Sequence, residues 1–138
     1  MRIIFLVCCT TACSTLLSQI AISNSAGRKV AEISADGRVE NAARSTLGFI
    51  DSSGRVENAG RSTLGYVSDG RVEDSGRSTI GYYDSSGRVE NSGRSTIAYI
   101  SSGYIEDAGR ITLFKFSGDM KTDQLVAFLF FFRDKVSP

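Results

Sequence analysis

Short stretches of alternating apolar and polar residues cover most of this chain, and such alternation is typical of strands with one face in water. In Arg71-Val72-Glu73-Asp74 a β-branched residue stands between charged ones, and after Ser75-Gly76 a second stretch of the same kind runs from Arg77 to Tyr83. Before the C-terminal tail, no window keeps the roughly 3.6-residue period of a helix. The pattern predicts an all-β protein built from short hairpins.

One strand-turn-strand unit recurs along the chain. Its starting glycines are Gly37, Gly54, Gly70 and Gly87, with a variant at Gly103, so the spacings are 17, 16, 17 and 16 residues. This length holds two short strands and is too short for a propeller blade or for the helices of ankyrin and leucine-rich repeats. The repeat therefore predicts a series of two-stranded hairpins, arranged either as a ring whose ends close on each other or as an open stack with a capping strand.

The ends of the repeat region differ from its middle. A lone second-strand half, residues 30–33, precedes the first full unit, so strands are expected to begin near Arg28. A sixth second strand, residues 111–116, carries Phe114 where glycine or alanine normally stands. These departures leave the number of units at closure open between five and six.

Two local features of the unit predict backbone geometry. Pairs such as Ala59-Gly60 and Ser75-Gly76 mark the turn inside each hairpin, where glycine is expected to supply the positive φ of a tight turn. Leu64 and Val67 are three residues apart and would lie on opposite faces of a regular strand. We therefore expect a β-bulge at the intervening Gly65.

The N-terminal segment is typical of an export signal. Arg2 is followed by apolar residues 3–7, small and apolar residues continue through Leu17, and no acidic residue occurs before Glu32. This predicts a signal peptide over residues 1–26, cleaved between residues 18 and 26, and hence a secreted or periplasmic protein. A lipid anchor on Cys9 or Cys13 is the alternative. The repeat domain would then cover residues 27–118, and an apolar tail residues 119–138.

Composition excludes several kinds of chemistry from the processed chain. All three cysteines lie in the signal segment, and the sequence contains no histidine and no tryptophan. A disulfide, a thiolate nucleophile, a histidine base and an ordinary zinc site are therefore excluded. Removing Arg2 from the 16 basic residues leaves 15, which equals the 15 acidic ones, so the basic excess of a nucleic-acid binder is missing. We expect no cofactor, no metal and no nucleic-acid partner.

Recurrent charges form the first candidate site. The glutamates that recur in the first strands share a strand face with arginines two residues earlier, which favours a solvated face with ion pairs. They are Glu40, Glu57, Glu73 and Glu90, and Glu106 occupies the same position of the last copy, where Tyr104 replaces the arginine. The alternative is a small hydrolase that uses a pair of these carboxylates. Near-identical surroundings argue against it, because such a pair needs two different environments. The Asp-Ser-Ser-Gly turns likewise lack the alternating acidic ligands of a calcium loop.

Aromatic residues that follow the small position form the second candidate site. Partly exposed tyrosines with arginines nearby suit stacking on glycans or peptides. The predicted ligand-binding residues are Tyr66, Tyr82, Tyr99, Arg61, Arg77 and Arg94, and Phe49 shares the aromatic position. Cross-strand aromatic packing around the ring is the alternative reading of this position.

The C-terminal tail is strongly apolar. Residues Leu125–Phe132 are eight consecutive apolar residues, far too few to span a membrane. Left exposed, the tail would aggregate, so we expect it to plug the ring and to pack on Phe114 and Phe116. A role on a membrane surface or in binding a partner is the alternative.

From about Val30 to Phe132 the repeated unit and the phenylalanine-rich tail resemble the bacterial five-fold β-flower family. The resemblance implies a ring of hairpins in an exported protein, so we expect a closed or nearly closed ring of five or six hairpins. It brings no known activity and no catalytic residues. We therefore expect a non-enzymatic exported scaffold or binding module, with glycans or peptides as possible ligands. The alternatives are the carboxylate hydrolase and a self-assembling surface protein that forms homo-oligomers.

Overall fold

The computed structural model describes residues 19–119 and 121–136, in which twelve antiparallel strands close into one barrel. Each strand pairs with its neighbours in sequence, and the first pairs with the last. The strands are β1 Ile20–Asn24, β2 Lys29–Ile33, β3 Arg38–Asn41, β4 Thr46–Ile50, β5 Arg55–Asn58, β6 Thr63–Ser68, β7 Arg71–Asp74, β8 Thr79–Tyr83, β9 Arg88–Asn91, β10 Thr96–Ser101, β11 Tyr104–Asp107 and β12 Thr112–Gly118. Helix α1 (Thr122–Ala127) follows and continues as a π-helix (Phe128–Phe132) and a 3₁₀ turn (Arg133–Lys135).

These strands form six consecutive hairpins, numbered 1 (β1 and β2) to 6 (β11 and β12), which decides the unit count. The expected start of the strands near Arg28 is wrong, because β1 pairs with both β2 and β12. In hairpin 1, Ile22 is buried as Val56 is in hairpin 3. Asn24 accepts the N–H groups of Ala26 and Arg28 in its turn.

The predicted signal peptide overlaps this first strand. Its residues 1–18 lie outside the described residues, and β1 begins at Ile20. Because β1 closes the barrel, a cleavage site near residue 18 would keep the ring intact, whereas one near residue 26 would remove a strand. The barrel therefore begins before residue 27.

Each hairpin contains one β-bulge in its second strand. In hairpin 3, Val56 pairs with Gly65 and Glu57 pairs with Thr63, so Leu64 is the extra residue. The predicted bulge is confirmed, one residue before the glycine. Because of the bulge, Leu64 and Gly65 both face inward although they are adjacent, and Leu64 packs against the core. The corresponding extra residues are Val30, Leu47, Ile80, Ile97 and Leu113.

The turns lie at two ends of the barrel, because successive strands are antiparallel. End A holds the turns inside the hairpins, and end B holds the turns that link one hairpin to the next. The alternation between 17 and 16 residues arises at end B, where the turn at residues 51–54 is longer than the two-residue turn at Asp69-Gly70.

In the end-A turns of hairpins 2 to 6 an arginine, and not the glycine before it, has the positive φ, so the expectation for Gly60 and its equivalents is wrong. The arginine after the glycine adopts the left-handed conformation, with φ of 69° to 72°, in hairpins 2 to 6. The Asn58 carbonyl accepts the N–H of Arg61 at 3.0 Å, and Asn58 Oδ1 accepts the N–H of Ser62 at 3.0 Å. This is a type I turn followed by a left-handed residue, and the arginine occupies that last position.

The tail plugs the barrel and runs through it from end B to end A. Residues 121–124 lie beside the end-B turns, whereas Lys135 and Val136 lie beside the end-A turns. Between them, Leu125–Phe128 are fully buried. The ring of Phe128 packs edge-on against Phe114, with ring centroids 5.3 Å apart. The predicted packing of the tail on Phe114 is confirmed, and the tail is helical.

Three successive phenylalanines of the plug each contact the inward glycine of a different hairpin. The rings of Phe130, Phe131 and Phe132 lie against Gly81, Gly65 and Gly48, respectively, where an added Cβ would collide with the ring. A π-helix turns less per residue than an α-helix. The angle between successive side chains of the plug is therefore closer to one sixth of a full turn, which is the angle between neighbouring hairpins of the barrel.

Candidate functional site

The outer surface of the barrel carries a row of aromatic rings beside a row of arginines. Gly65 faces the plug, so its neighbour Tyr66 points outward from the strand. We call this surface the aromatic–arginine belt. It consists of Phe49, Tyr66, Tyr82 and Tyr99 with Arg61, Arg77, Arg94 and Arg110 and with Glu57, Glu73, Glu90 and Glu106.

Each arginine of the belt stacks on the aromatic ring of the preceding hairpin. The guanidinium carbon of Arg77 lies 3.5 Å from the ring centroid of Tyr66, and the other three distances are 3.6 to 3.7 Å. The same guanidinium donates through Nη1 to the glutamate of its own hairpin, at 3.0 Å for Arg77 and Glu73. One arginine therefore joins two hairpins at every step of the belt.

All six predicted ligand-binding residues lie on this belt, and the structure assigns each arginine to one ring. Arg61, Arg77 and Arg94 stack on Phe49, Tyr66 and Tyr82, so each arginine covers the ring of the previous unit. Phe49 and Arg110 complete the set; Phe49 was placed at the aromatic position by the sequence, but neither residue was among the predicted ligand-binding residues. Arg110 could have been predicted from the sequence, because it stands at the same position of the repeat as the other belt arginines. Ligand binding by these residues stays a prediction.

The predicted ion pairs of the wet face are present. Glu57 is only 7% exposed and accepts from both Arg55 and Arg61, at 3.2 and 3.0 Å. Glu90 is 8% exposed and has the equivalent partners Arg88 and Arg94, at 3.2 and 3.1 Å. The arginines remain half or more exposed, so each pair contributes at most about 1 kcal/mol.

The belt is an arc and not a full circle. In hairpin 1, Glu32 occupies the aromatic position and pairs with Lys29 and Arg44, at 3.3 and 3.6 Å. Gly27 takes the place of the left-handed arginine there. In hairpin 6, Lys115 stands at the aromatic position, opposite Ser23 of β1. The belt is therefore interrupted where the barrel closes.

A cleft of about 800 Å³ opens at end B, between the turns of hairpins 1 to 3 and the start of the plug. Its charged lining residues are Asp36, Asp51, Asp123 and Lys121. A hydrogen bond from Ser34 is the main cause that lowers the pKa of Asp36. Burial by itself raises the pKa of Asp51, but hydrogen bonds from Ser53 and from the Arg55 N–H outweigh it, so the net shift is downward.

Tyr83 ties the barrel to the plug beside this end. Its hydroxyl donates to Asp123 Oδ1 at 2.9 Å. Burial, and then this hydrogen bond to a carboxylate, raise the pKa of Tyr83 well above its ordinary value. The phenol therefore stays protonated and remains a donor over the whole neutral range.

A second, smaller cleft of about 230 Å³ lies at end A. It is lined by Arg28, Lys29 and Lys135 together with Val30, Val136 and residues 41–43. Within residues 19–119 and 121–136, no group of three or more acidic, histidine or cysteine side chains is placed to hold a metal ion. No helix of that same part of the chain is long and apolar enough to cross a membrane.

Comparison with known protein families finds a match. A family model described as a 5-fold beta-flower protein matches residues 19–133, which include all twelve strands and most of the plug. No curated protein and no solved structure matches the chain. The match begins one residue before β1, in agreement with a barrel that includes hairpin 1.

Proposed function

We propose that this chain, which belongs to the 5-fold beta-flower family, is a non-enzymatic structural scaffold exported from the cell. The observation that carries the proposal is the stacking of each belt arginine on an aromatic ring of the neighbouring hairpin, at 3.5 to 3.7 Å. Every belt arginine is thereby engaged within the chain. Export is supported by the signal-like N-terminus and by the lack of cysteine after Cys13.

The backbone of these arginines supports a structural role. A left-handed conformation costs a residue with a side chain about 1 kcal/mol, and glycine avoids this cost. Hairpin 1 has Gly27 at the position, whereas Arg77 and its equivalents accept the strain. The stacking contributes about 0.5–1 kcal/mol, and the ion pair adds to it. The side-chain contacts therefore offset the backbone cost and join adjacent hairpins.

The glutamates support the same proposal over a carboxylate hydrolase. A hydrolase needs two carboxyl groups in different environments, one of them protonated. Glu57 and Glu90 have matching arginine partners at nearly equal distances. Neither glutamate is set apart from the other as an acid, so the pair lacks the asymmetry that general acid catalysis requires.

A binding module is the second candidate, and the exposure of the belt favours it. The side chains of Arg61, Arg77 and Arg94 remain 63 to 65% exposed even while stacked. Guanidinium edges and the free edges of Tyr66, Tyr82 and Tyr99 suit glycan or peptide ligands. Such a ligand would bind across neighbouring hairpins.

The experiment compares two triple variants of Tyr66, Tyr82 and Tyr99. Substitution with Ala removes the rings, and substitution with Phe removes only the hydroxyls while keeping the stacking. A scaffold loses free energy of unfolding in the Ala variant and keeps it in the Phe variant. Unchanged stability of the Ala variant would contradict the proposal, as would hydrolysis of a glycoside panel that Glu57→Gln or Glu90→Gln abolishes.

A glycan and peptide array probed with the Phe variant tests the binding module.

A further inference from the structure

The end-A turns have the same uncharged pair of residues after the left-handed position in every hairpin except the first. Hairpins 2 to 5 have Ser-Thr there, as in Ser62-Thr63, and hairpin 6 has Ile-Thr. Hairpin 1 has Arg28-Lys29 at this place, directly after Gly27. Two positive charges therefore stand where the other hairpins have none.

The end of the plug adds a third cation at the same place. Lys135 lines the end-A cleft together with Arg28 and Lys29, so residues from distant parts of the chain meet there. Val30 and Val136 are buried in the lining. The cleft, at about 230 Å³, is smaller than the roughly 300–1,000 Å³ of ordinary ligand pockets, so it fits one small group of a ligand.

The carboxylate nearest to these cations does not neutralise the cleft. Glu32 is bound by Lys29 at 3.3 Å and by Arg44 at 3.6 Å. Two cations thus stand against one carboxylate, which leaves a formal charge of +1 on the three side chains together.

Arg28 and Lys135 add two more charges. None of the ion pairs formed within residues 19–119 and 121–136 includes either of them. Asp134 precedes Lys135 in the chain, but it is exposed and does not line the cleft. Arg28 and Lys135 therefore offer the cleft two positive charges for a ligand.

The lining also holds a neutral hydrogen-bond donor. Asn41 Oδ1 accepts the N–H groups of Ala43 and Ser45, at 2.9 and 3.0 Å, so its amide Nδ2 is the polar atom left over for a ligand. A guanidinium, two ammonium groups and this amide are donors without an acceptor among them. Such a set matches the oxygens of a phosphate group, to which arginine donates two parallel hydrogen bonds.

We propose that the end-A cleft binds the phosphate group of a phosphate monoester. The Arg28 guanidinium donates to two of its oxygens, Lys135 pairs with its charge, and the rest of the ligand lies outside the cleft. A phosphate monoester carries about −1.5 to −2 charges at pH 7, which balances Arg28 and Lys135. A carboxylate would leave one of the two unmatched. This site goes beyond the scaffold role and does not involve the belt.

The first test is isothermal titration calorimetry of the purified protein with methyl phosphate at low ionic strength. We expect one ligand per chain. Binding should weaken from about pH 7.5 to about pH 5.5, because the ester takes up its second proton near pH 6 while arginine and lysine stay charged. An absence of binding would overturn the proposal, and so would an affinity that is the same at both pH values.

A variant that restores the residues of the repeat locates the site. Arg28→Ser with Lys29→Thr gives hairpin 1 the pair that hairpins 2 to 5 have, so we expect the fold to be kept. Affinity for methyl phosphate should fall at least about tenfold, because charged hydrogen bonds are lost. Lys135→Gln should weaken binding as well. Unchanged affinity in the double variant would show that phosphate does not bind in this cleft.

The matched control moves the charged pair without changing the composition. Added to the double variant, Ser78→Arg with Thr79→Lys places the two cations in hairpin 4, on the opposite side of the barrel. Asn91 there has the strand position of Asn41, but Lys135 is not at that side. We expect this relocated variant to lose binding. Binding as tight as that of the original protein would mean that net charge alone attracts phosphate, against the proposal.

Vesicles separate two sources of the same chemical group. Phosphatidic acid presents a phosphate monoester at a membrane surface, whereas phosphatidylcholine presents a diester. Sedimentation with vesicles of phosphatidylcholine and phosphatidic acid, but not of phosphatidylcholine alone, assigns the site to a lipid headgroup if the double variant abolishes it. Binding of methyl phosphate without sedimentation assigns it to a soluble ester. Sedimentation that the double variant retains would count against the cleft.

Discussion

Arg77 places its guanidinium carbon 3.5 Å from the ring centroid of Tyr66, although the two residues belong to different hairpins. Arg77 has a φ of 72° and also binds Glu73 at 3.0 Å. The strained backbone and the two side-chain contacts occur together in hairpins 3 to 6. The belt thus joins four neighbouring pairs of hairpins on the outside of the barrel, while the plug joins them from within.

Substitution of Arg77 separates side-chain contacts from backbone strain. Arg77→Ala loses the stacking and the ion pair but keeps the left-handed strain, so we expect a loss of about 1–2 kcal/mol of unfolding free energy. Arg77→Gly loses the same contacts but relieves the strain, and we expect it to be about 1 kcal/mol more stable than Arg77→Ala. Urea denaturation measures both. Equal stability of the two variants would mean that the arginine backbone is not strained.

Gly65 lies against the Phe131 ring of the plug. An added Cβ would lie 2.9 Å from Phe131 Cε1 and closer still to the Glu73 carbonyl oxygen. Overpacking of this kind costs about 1–3 kcal/mol, so Gly65→Ala should unfold at a clearly lower urea concentration. Ala98, at the same position of hairpin 5, supplies the control, because Ala98→Gly removes a methyl group and does not add one. The idea fails if Gly65→Ala unfolds like the original protein.

Asp51 and Asp84 give the protein a defined response to acid. Hydrogen bonds, from Ser86 above all, lower the pKa of Asp84, and the net shift of Asp51 is also downward. A carboxyl whose pKa is lower in the folded state stabilises the fold above its unfolded pKa of about 4, and this stability is lost as pH falls through the folded value. We expect the unfolding free energy to decrease as pH falls below about 4.

The double variant Asp51→Asn with Asp84→Asn checks this assignment. Asn keeps the side-chain oxygen that caps the turn, as Asn41 does at end A. The variant should therefore remain folded at neutral pH and show a shallower loss of stability in acid. Asp69→Asn, in the two-residue turn, is the control. A pH dependence that the double variant leaves unchanged would show that other carboxyl groups cause it.

Tyr83→Phe should loosen the start of the plug. The substitution removes the hydrogen bond to Asp123, which contributes about 1 kcal/mol. Hydrogen exchange of the α1 amides measures the effect, and we expect faster exchange at Leu125 and Val126. Tyr82→Phe is the control, because Tyr82 lies on the belt and not at the plug. Equal exchange in both variants would mean that the Tyr83 hydroxyl does not hold the plug.

The bulge and the plug could be predicted because their signals are local. The three-residue spacing of Leu64 and Val67 does not fit a regular strand, and the length and apolarity of Leu125–Phe132 require burial. The first strand of hairpin 1 was missed because it retains few residues of the unit and overlaps a segment typical of an export signal. Pairing of Ile20–Asn24 with β12 supplied the evidence that the local pattern lacked.

The belt shows where prediction from the chain stops. The repeat predicted partly exposed tyrosines with arginines nearby, but it could not assign Arg77 to Tyr66, because that pairing depends on the register between hairpins. The positive φ of Arg77 was assigned to Gly76 for a related reason. Glycine is the residue that favours this conformation locally, and only contacts with another hairpin explain an arginine there.

By itself, the amino-acid sequence determined the short strands, the turns between them, the repetition of the hairpin and the burial of the apolar tail. These follow from alternation, turn residues and hydrophobicity, which act over a few neighbouring residues. The tertiary structure alone decided that six hairpins close the barrel, that each belt arginine covers the ring of the previous hairpin, and that the plug runs from end B to end A. Those features depend on register and closure between residues distant in the chain, and a local pattern does not encode them.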